Sequence, residues 1–236
     1  MKIGIIGAQG RMGRMLQHEL GDEMSIAAGR HDDKAAVFSQ SDVVIDFSAA
    51  DAAAAHAALA VAARKPLVMG TTGLDVAAHD ALVQAAAIVP LLYATNMSRG
   101  VTVILSLAEK AASLLGDDFD VEISETHHRH KIDAPSGTAL SLGRAVALGR
   151  GVDFDSRRVT DRSGARRAGD IGFAVSRGGD VVGEHTVTFA GSGERVDIAH
   201  KAGDRAIFAR GAIYAARWLA TQKAGRLYSM RDALGL

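Results

Sequence analysis

Between His127 and Lys131 the chain places three histidines, an arginine and a lysine within five residues. Directly after them comes Asp133-Ala-Pro-Ser-Gly-Thr138, whose residue types open a helix. An imidazole titrates near neutrality, so it can give or accept a proton under ordinary conditions. Pro135 suits the first turn of a helix, where Ser136, Gly137 and Thr138 would present N–H groups and hydroxyls to an anion. A carboxylate docked there would lay its body beside His127, His128 and Lys131. Two positive centres, the lysine and the helix start, suit a dicarboxylate. Arg129 and Lys131 should favour the neutral imidazole, an effect that Glu125 could offset.

Other readings of the run exist. His127, His128 and His130 could be taken for zinc ligands. In an extended segment, however, 128 and 130 share a face while 127 points away. There is no cysteine, and Arg129 and Lys131 would repel a cation. No metal is therefore expected. A nucleic-acid patch would need a basic chain and stacking aromatics, but 27 basic residues balance 27 acidic ones. A merely solvated cluster is the third alternative.

The second feature is Gly7-Ala-Gln-Gly-Arg-Met-Gly13, which follows the apolar Ile3-Gly-Ile-Ile6. Gly7, Gly10 and Gly13 depart from the usual dinucleotide spacing but keep its logic. One glycine permits the turn, another lets backbone approach pyrophosphate, and a third lets the helix pack closely. Beyond Ala28 no acid stands ready for a ribose hydroxyl, and Asp32 and Asp33 come later. Arg30 could pair with a 2′-phosphate instead, which favours NADPH and leaves NADH possible. Phe47-Ser48, Gly70-Thr71-Thr72-Gly73 and Ala94-Thr95-Asn96-Met97 each end an expected strand, so they should line the cofactor as well.

The elements that must carry these residues can be read from periodicity. Strands are expected at Lys2–Ile6, Ser25–Ala28, Val43–Phe47, Leu67–Gly70 and Ile88–Tyr93. Helices are expected at Arg11–Leu20, Ala52–Arg64 and Leu74–Ala87. This alternation implies a Rossmann-type parallel sheet. Beyond Asn96 the pattern changes. Helices at Val101–Leu115 and Ser136–Leu148 flank a strand at Phe119–Glu125. Arg150–Gly172 reads as a loop, and Phe173–Ala199 as antiparallel strands turning at Arg177-Gly-Gly-Asp180 and Gly191-Ser-Gly-Glu194. A helix follows at Ala206–Thr221. The fold class is α/β: a parallel-sheet domain over residues 1–97 and a smaller α+β domain over 98–206. The last segment, 207–236, is expected to pack back on the first.

Neutral net charge excludes wholesale binding to nucleic acid or an anionic membrane. The absence of cysteine removes disulfides and thiolate chemistry. The apolar stretch at the start is too short for a signal-peptide core, and no run approaches a membrane span, so a cytoplasmic protein is expected.

Gly7-Ala-Gln-Gly-Arg-Met-Gly13, Gly70-Thr-Thr-Gly73, Ala94-Thr-Asn-Met-Ser98 and Glu125-Thr-His-His-Arg-His-Lys-Ile-Asp-Ala-Pro-Ser-Gly-Thr-Ala139 together resemble the 4-hydroxy-tetrahydrodipicolinate reductase (dihydrodipicolinate reductase) family. Arg177-Gly-Gly-Asp-Val-Val-Gly-Glu-His-Thr186 and His200-Lys-Ala-Gly-Asp-Arg-Ala-Ile-Phe208 extend the resemblance over essentially the whole chain. It implies an NAD(P)H-dependent reductase of lysine and diaminopimelate biosynthesis, assembled as a homotetramer through the sheet of its second domain. By matching position, His127 is the implied proton donor or acceptor and Lys131 a second donor. His128, Lys131, Ser136, Gly137 and Thr138 would hold the dicarboxylate. Gly7, Ala8, Gln9, Gly10, Arg11, Met12, Gly70, Thr71, Thr72, Ala94, Thr95, Asn96 and Met97 would hold the cofactor, with Arg205 and Phe208 near its nicotinamide end. The chain departs from many members in a clipped stretch between Arg30 and Ser41 and in lacking an acid at Arg30. A non-catalytic NADPH sensor, a related amino-acid dehydrogenase and, more distantly, a metal hydrolase are the competing readings.

Overall fold

The structure is a computed structural model that describes residues 1–161 and 163–236. The chain divides into two compact units, Met1–Arg99 with Ala206–Leu236, and Gly100–Arg205.

In the first unit, strands β1 (Ile3–Ile6), β2 (Met24–Ala28), β3 (Val43–Asp46), β4 (Leu67–Met69) and β5 (Leu91–Tyr93) alternate with helices α1 (Arg11–Leu20), α2 (Lys34–Ser39), α3 (Ala53–Ala63) and α4 (Val76–Ala86). The strands are short and apolar, and residues of β1, β3 and β4 are buried whichever way they point. Such runs suit a sheet covered on both faces. One core layer packs Ile3, Ile5 and Ile45 against Leu16 and Leu219. The opposite layer packs Ile6, Val44 and Met69 against Phe38, Ala57 and Leu82. Two helices were expected one to two residues longer at each end. The expected strand at Ile88–Tyr93 starts only at Leu91, because Ile88 and Val89 donate back to Ala85 at the end of α4.

The second unit opens with α5 (Arg99–Leu115), followed by β6 (Asp120–His127), α6 (Gly137–Arg150), α7 (Phe154–Arg157), β7 (Arg158–Val159), β8 (Ile171–Arg177), β9 (Gly183–Ala190) and β10 (Arg195–Ala202). Its sheet order is β10-β9-β6-β8-β7. Two expectations need correction here. Arg150–Gly172 is not all loop: Phe154 is buried, and Arg158–Val159 pairs with the start of β8. Nor are the later strands all antiparallel. β8 runs parallel to β6, and only β9 and β10 are antiparallel to their neighbours. Arg177-Gly-Gly-Asp180 is therefore no hairpin turn; it begins a crossing over β6.

The chain returns to the first unit with α8 (Ala206–Leu219), β11 (Leu227–Tyr228) and α9 (Met230–Leu234). β11 completes a six-stranded, all-parallel sheet in the order β11-β5-β4-β3-β1-β2. Gly211 lets α8 press onto the chain at Met97, where a Cβ would lie 1.7 Å from the Met97 carbonyl oxygen. α2, β11 and α9 had no counterpart in the sequence reading; each is six residues or fewer. Among the described residues no helix is long and apolar enough to cross a membrane.

Candidate active site

In the first unit β1 lies between β2 and β3, so successive crossovers leave it in opposite directions. Open parallel sheets bind ligands at that switch point, beyond the strand ends. The glycine turn sits there. Gly7 has φ +87°, and a Cβ on it would meet the Phe47 carbonyl oxygen at 2.5 Å. Gly13 lets α1 close over the turn, since a Cβ there would lie 2.2 Å from the Gly7 oxygen. Gly10 precedes α1 with no side-chain cap, and Arg11 begins the helix. The first N–H groups of α1 therefore remain available to an anion.

Two cavities follow the strand ends. One, of about 540 Å³, is lined by Gly7, Gln9, Arg30, Lys34, Phe47 and His56 among others. The second, of about 430 Å³, brings together Arg11, Met12, Thr72, Thr95, Asn96 and Phe208, with Gly10, Phe47, Gly70, Thr71 and Met97. Ala8 is buried and donates its N–H to the Ala28 carbonyl, which shapes the turn. Ala94 packs against the first core layer, next to the second cavity's Thr95. Thr71 Oγ1 is buried without a hydrogen-bond partner among the described residues. An uncapped helix start, a glycine cradle and an orphaned hydroxyl fit a phosphate-bearing dinucleotide.

At the end of β2 the acids are already engaged. Asp32 accepts from the Gly29 N–H at 2.7 Å, and Asp33 caps α2. Lys34 donates to the carbonyls of Arg30 and Asp32, both at 2.7 Å, and lines the cavity with Arg30. The sequence reading overlooked Lys34. It also overlooked the buried pair of Asp46 and His56, 2.7 Å apart, whose histidine faces the same cavity.

The second unit holds the histidine–lysine run. Alternation along β6 puts Val121, Ile123, Glu125 and His127 on the buried face. β9 does the same with Phe189, Val187, His185 and Gly183. β6 thus starts apolar and ends polar, antiparallel β9 starts polar and ends apolar, and the two polar ends meet where Glu125 pairs in register with His185. Glu125 has a fully buried side chain and accepts from Ser136 N–H at 2.8 Å, from both terminal nitrogens of Arg177 at 3.0 Å, and from His127 Nδ1. A lone buried carboxylate would cost several kcal/mol. Burial pushes the Glu125 carboxyl up, but Arg177, Ser136 and His127 outweigh it and hold it below its usual range.

His127 is buried and lies edge-on to His185, with ring centroids 5.0 Å apart. Burial, the largest influence, lowers its pKa; together with Lys131 and Arg177 it outweighs Glu125, which raises it. The imidazole has room because β9 offers Gly183; a Cβ there would lie 3.0 Å from His127 Nε2. His185 bonds Ser136 Oγ at 3.1 Å, and burial, then His127, push its pKa to about 4.

β6 ends at His127 and the chain then turns, with Lys131 N–H donating to the His128 carbonyl. The extended geometry considered for 127–130 does not occur, and the rings of His128 and His130 sit 6.3 Å apart. Lys131 pairs with Asp133 at 2.9 Å. Asp133 is well exposed, so this pair is weak. Ser136 is the N-cap of α6, accepting from Ala139 N–H, and Gly137 and Thr138 form its first residues. Pro135 therefore lies before the cap rather than in the first helical turn, after a cis bond from Ala134. The cap needs the extended backbone that Ser136 supplies (ψ 157°), which places the proline one residue further out. Arg205, expected near the cofactor's nicotinamide end, contacts His128 Nε2 at 3.1 Å.

Glu125, His127 and His185 offer atoms within 4.8 Å of one another, a spacing that could hold a metal. Both oxygens of Glu125 are already taken by donors, two of them from a guanidinium. That donor set suits a buried ion pair better than a cation site.

Comparison with known proteins decides the family. Residues 1–97 match the model for the N-terminus of dihydrodipicolinate reductase, and residues 100–234 match that for its C-terminus. This chain belongs to the dihydrodipicolinate reductase family. It is 47% identical over 249 residues to 4-hydroxy-tetrahydrodipicolinate reductase of Zymomonas mobilis subsp. mobilis, covering all of this chain and 98% of that protein. It is 44% identical over 265 residues to the same-named protein of Cupriavidus metallidurans, with full coverage of both. In fold it is similar to dipicolinate-bound dihydrodipicolinate reductase from Paenisporosarcina sp. TG-14, with TM-score 0.81, 20% identity and 98% of each chain covered.

Proposed function

We propose that the protein reduces 4-hydroxy-tetrahydrodipicolinate, by way of its dehydrated form, to tetrahydrodipicolinate in lysine and diaminopimelate biosynthesis. The observation that carries this reading is the meeting of His127, Lys131 and the start of α6 at one polar end of the second unit's sheet. Membership of the reductase family over the full chain speaks against a sensor or an amino-acid dehydrogenase.

The dinucleotide would supply the hydride. The uncapped start of α1 would take its pyrophosphate. Thr71, Thr72, Thr95, Asn96, Met97 and Phe208 would line its ribose and nicotinamide. NADPH is the preferred form in this reading. Arg30 and Lys34 offer cations to a 2′-phosphate, and Asp32 and Asp33 are spent on backbone N–H groups. NADH remains usable.

The substrate's carboxylates would be held by His128, Lys131 and the N–H groups of Gly137 and Thr138 at the helix start. Lys131 would exchange Asp133 for a substrate carboxylate. After hydride reaches the ring, His127 would deliver or relay a proton to the resulting enamine, with Lys131 as a second donor. The assembly proposed is a cytoplasmic homotetramer through the second unit's sheet. Partners other than the small dicarboxylate, such as nucleic acid or a membrane, are not part of this reading, nor is a metal.

The test is NADPH consumption with substrate generated in place from pyruvate and aspartate semialdehyde by a condensing enzyme. Oxidation that requires both the condensing enzyme and this protein is expected. Tight NADPH binding with no oxidation would replace the reading with a sensor.

A further inference from the structure

We propose that Glu125 is a positioning residue: its carboxylate fixes the tautomer and orientation of His127, and Arg177 in turn fixes Glu125. This rests on the proposed role of His127.

An ionised carboxylate only accepts hydrogen bonds. Glu125 is held ionised by two bonds from Arg177 and one from Ser136 N–H. Its contact with His127 therefore requires a hydrogen on Nδ1. Nε2 is left as the working nitrogen, bare when the ring is neutral and carrying the transferable proton when it is charged. The same arrangement sets the position of the ring. Glu125 Oε2 holds one edge, Gly183 makes room beside Nε2, and His185 packs edge-on. Glu125 also holds Ser136 N–H through Oε1, so one carboxylate couples the proton carrier to the helix start that would take the substrate.

The groups facing His127 have distinct effects. Glu125, on its own strand, favours the imidazolium. Lys131 in the following loop and Arg177 on β8 disfavour it. His128 follows it in the chain, and His185 on β9 is held neutral by burial. Removing the Glu125 charge must therefore lower the pKa of His127. If His127 acts as an acid, activity that falls as pH rises through that pKa should then fall at lower pH.

The experiment is nitrogen NMR of labelled histidines, with pH–rate profiles, on the full-length protein. In the wild type, neutral His127 should carry its hydrogen on Nδ1. In Glu125→Gln the ring should sample both tautomers, and kcat should fall on the order of a hundredfold. The KM for the dicarboxylate should stay within about twofold, and the alkaline limb should move to lower pH. A wild-type His127 with its hydrogen on Nε2 would overturn the proposal, and this measurement stands even if the variant does not fold. Wild-type tautomer and pH profile in Glu125→Gln would also overturn it. Full turnover in His127→Gln would instead remove the role of His127 on which the proposal rests.

Discussion

The two units build their sites from opposite materials. The first relies mainly on backbone and empty space, with one buried pair, Asp46–His56, beside them: Gly7, Gly13 and Gly70 stand where any Cβ would strike a carbonyl, the turn itself or the Phe47 ring. The second uses buried charge: one carboxylate, one guanidinium and two imidazoles at the polar end of a sheet. A backbone cradle fails when atoms are added, and a buried network fails when a proton or a partner is removed. The first should therefore respond mainly to steric change, and the second to pH and to the deletion of single polar groups.

The largest expected effect is His127→Gln, which should cut kcat by about 10²–10⁴-fold with NADPH affinity unchanged. Parallel loss of cofactor binding, measured by fluorescence titration, would break the separation between units.

Acid should single out the second unit. His185 has an ordinary pKa of 6.5 and a folded value of about 4, so the unfolded chain takes up the proton first as pH falls. The stabilisation is fully present above 6.5 and is lost between 6.5 and about 4, amounting to on the order of 3 kcal/mol. His127 and Glu125 are shifted in the same direction and add to the loss. Hydrogen exchange at reduced pH should show β6 and β9 opening before β1 and β3. His185→Asn should narrow that gap.

Gly13→Ala is the converse experiment. Its Cβ would lie 2.2 Å from the Gly7 oxygen, and displacing backbone should cost about 1–3 kcal/mol. Thermal melts should register the loss, NADPH affinity should drop, and the pH profile should keep its shape. The smallest effect belongs to the exposed Arg30. Arg30→Ala should reduce preference for NADPH over NADH by roughly tenfold, equal to about 1.4 kcal/mol, in paired kcat/KM measurements. An unchanged ratio would assign 2′-phosphate recognition to Lys34 alone.

The parallel sheet was legible because its strands are continuous apolar runs and its turns are glycine-rich. The second sheet was harder. Hydrophobic alternation marks which residues of Phe173–Ala199 form strands, but not which strands pair. A glycine-rich link such as Arg177-Gly-Gly-Asp180 serves a hairpin or a crossover equally well. α2 and α9 are too short to show a helical period. In the candidate site, His127, Lys131 and the α6 start stood out because they are contiguous. Arg177 and His185 lie 52 and 49 residues from their partners Glu125 and Ser136, so only the folded register joins them. A trace was nevertheless present. Val121, Ile123, Glu125 and His127 share one parity, as do Gly183, His185, Val187 and Phe189. A buried strand face that turns polar at one end points to a site.

The most direct test of a hydride-transferring reductase uses NADPH carrying deuterium at both positions of the hydride-donating carbon of its nicotinamide, mixed with the enzyme and substrate generated in place. One deuterium is expected in the reduced dicarboxylate for each cofactor oxidised, as read by mass spectrometry. A reduced product free of deuterium, or cofactor that binds and is never consumed, would contradict it.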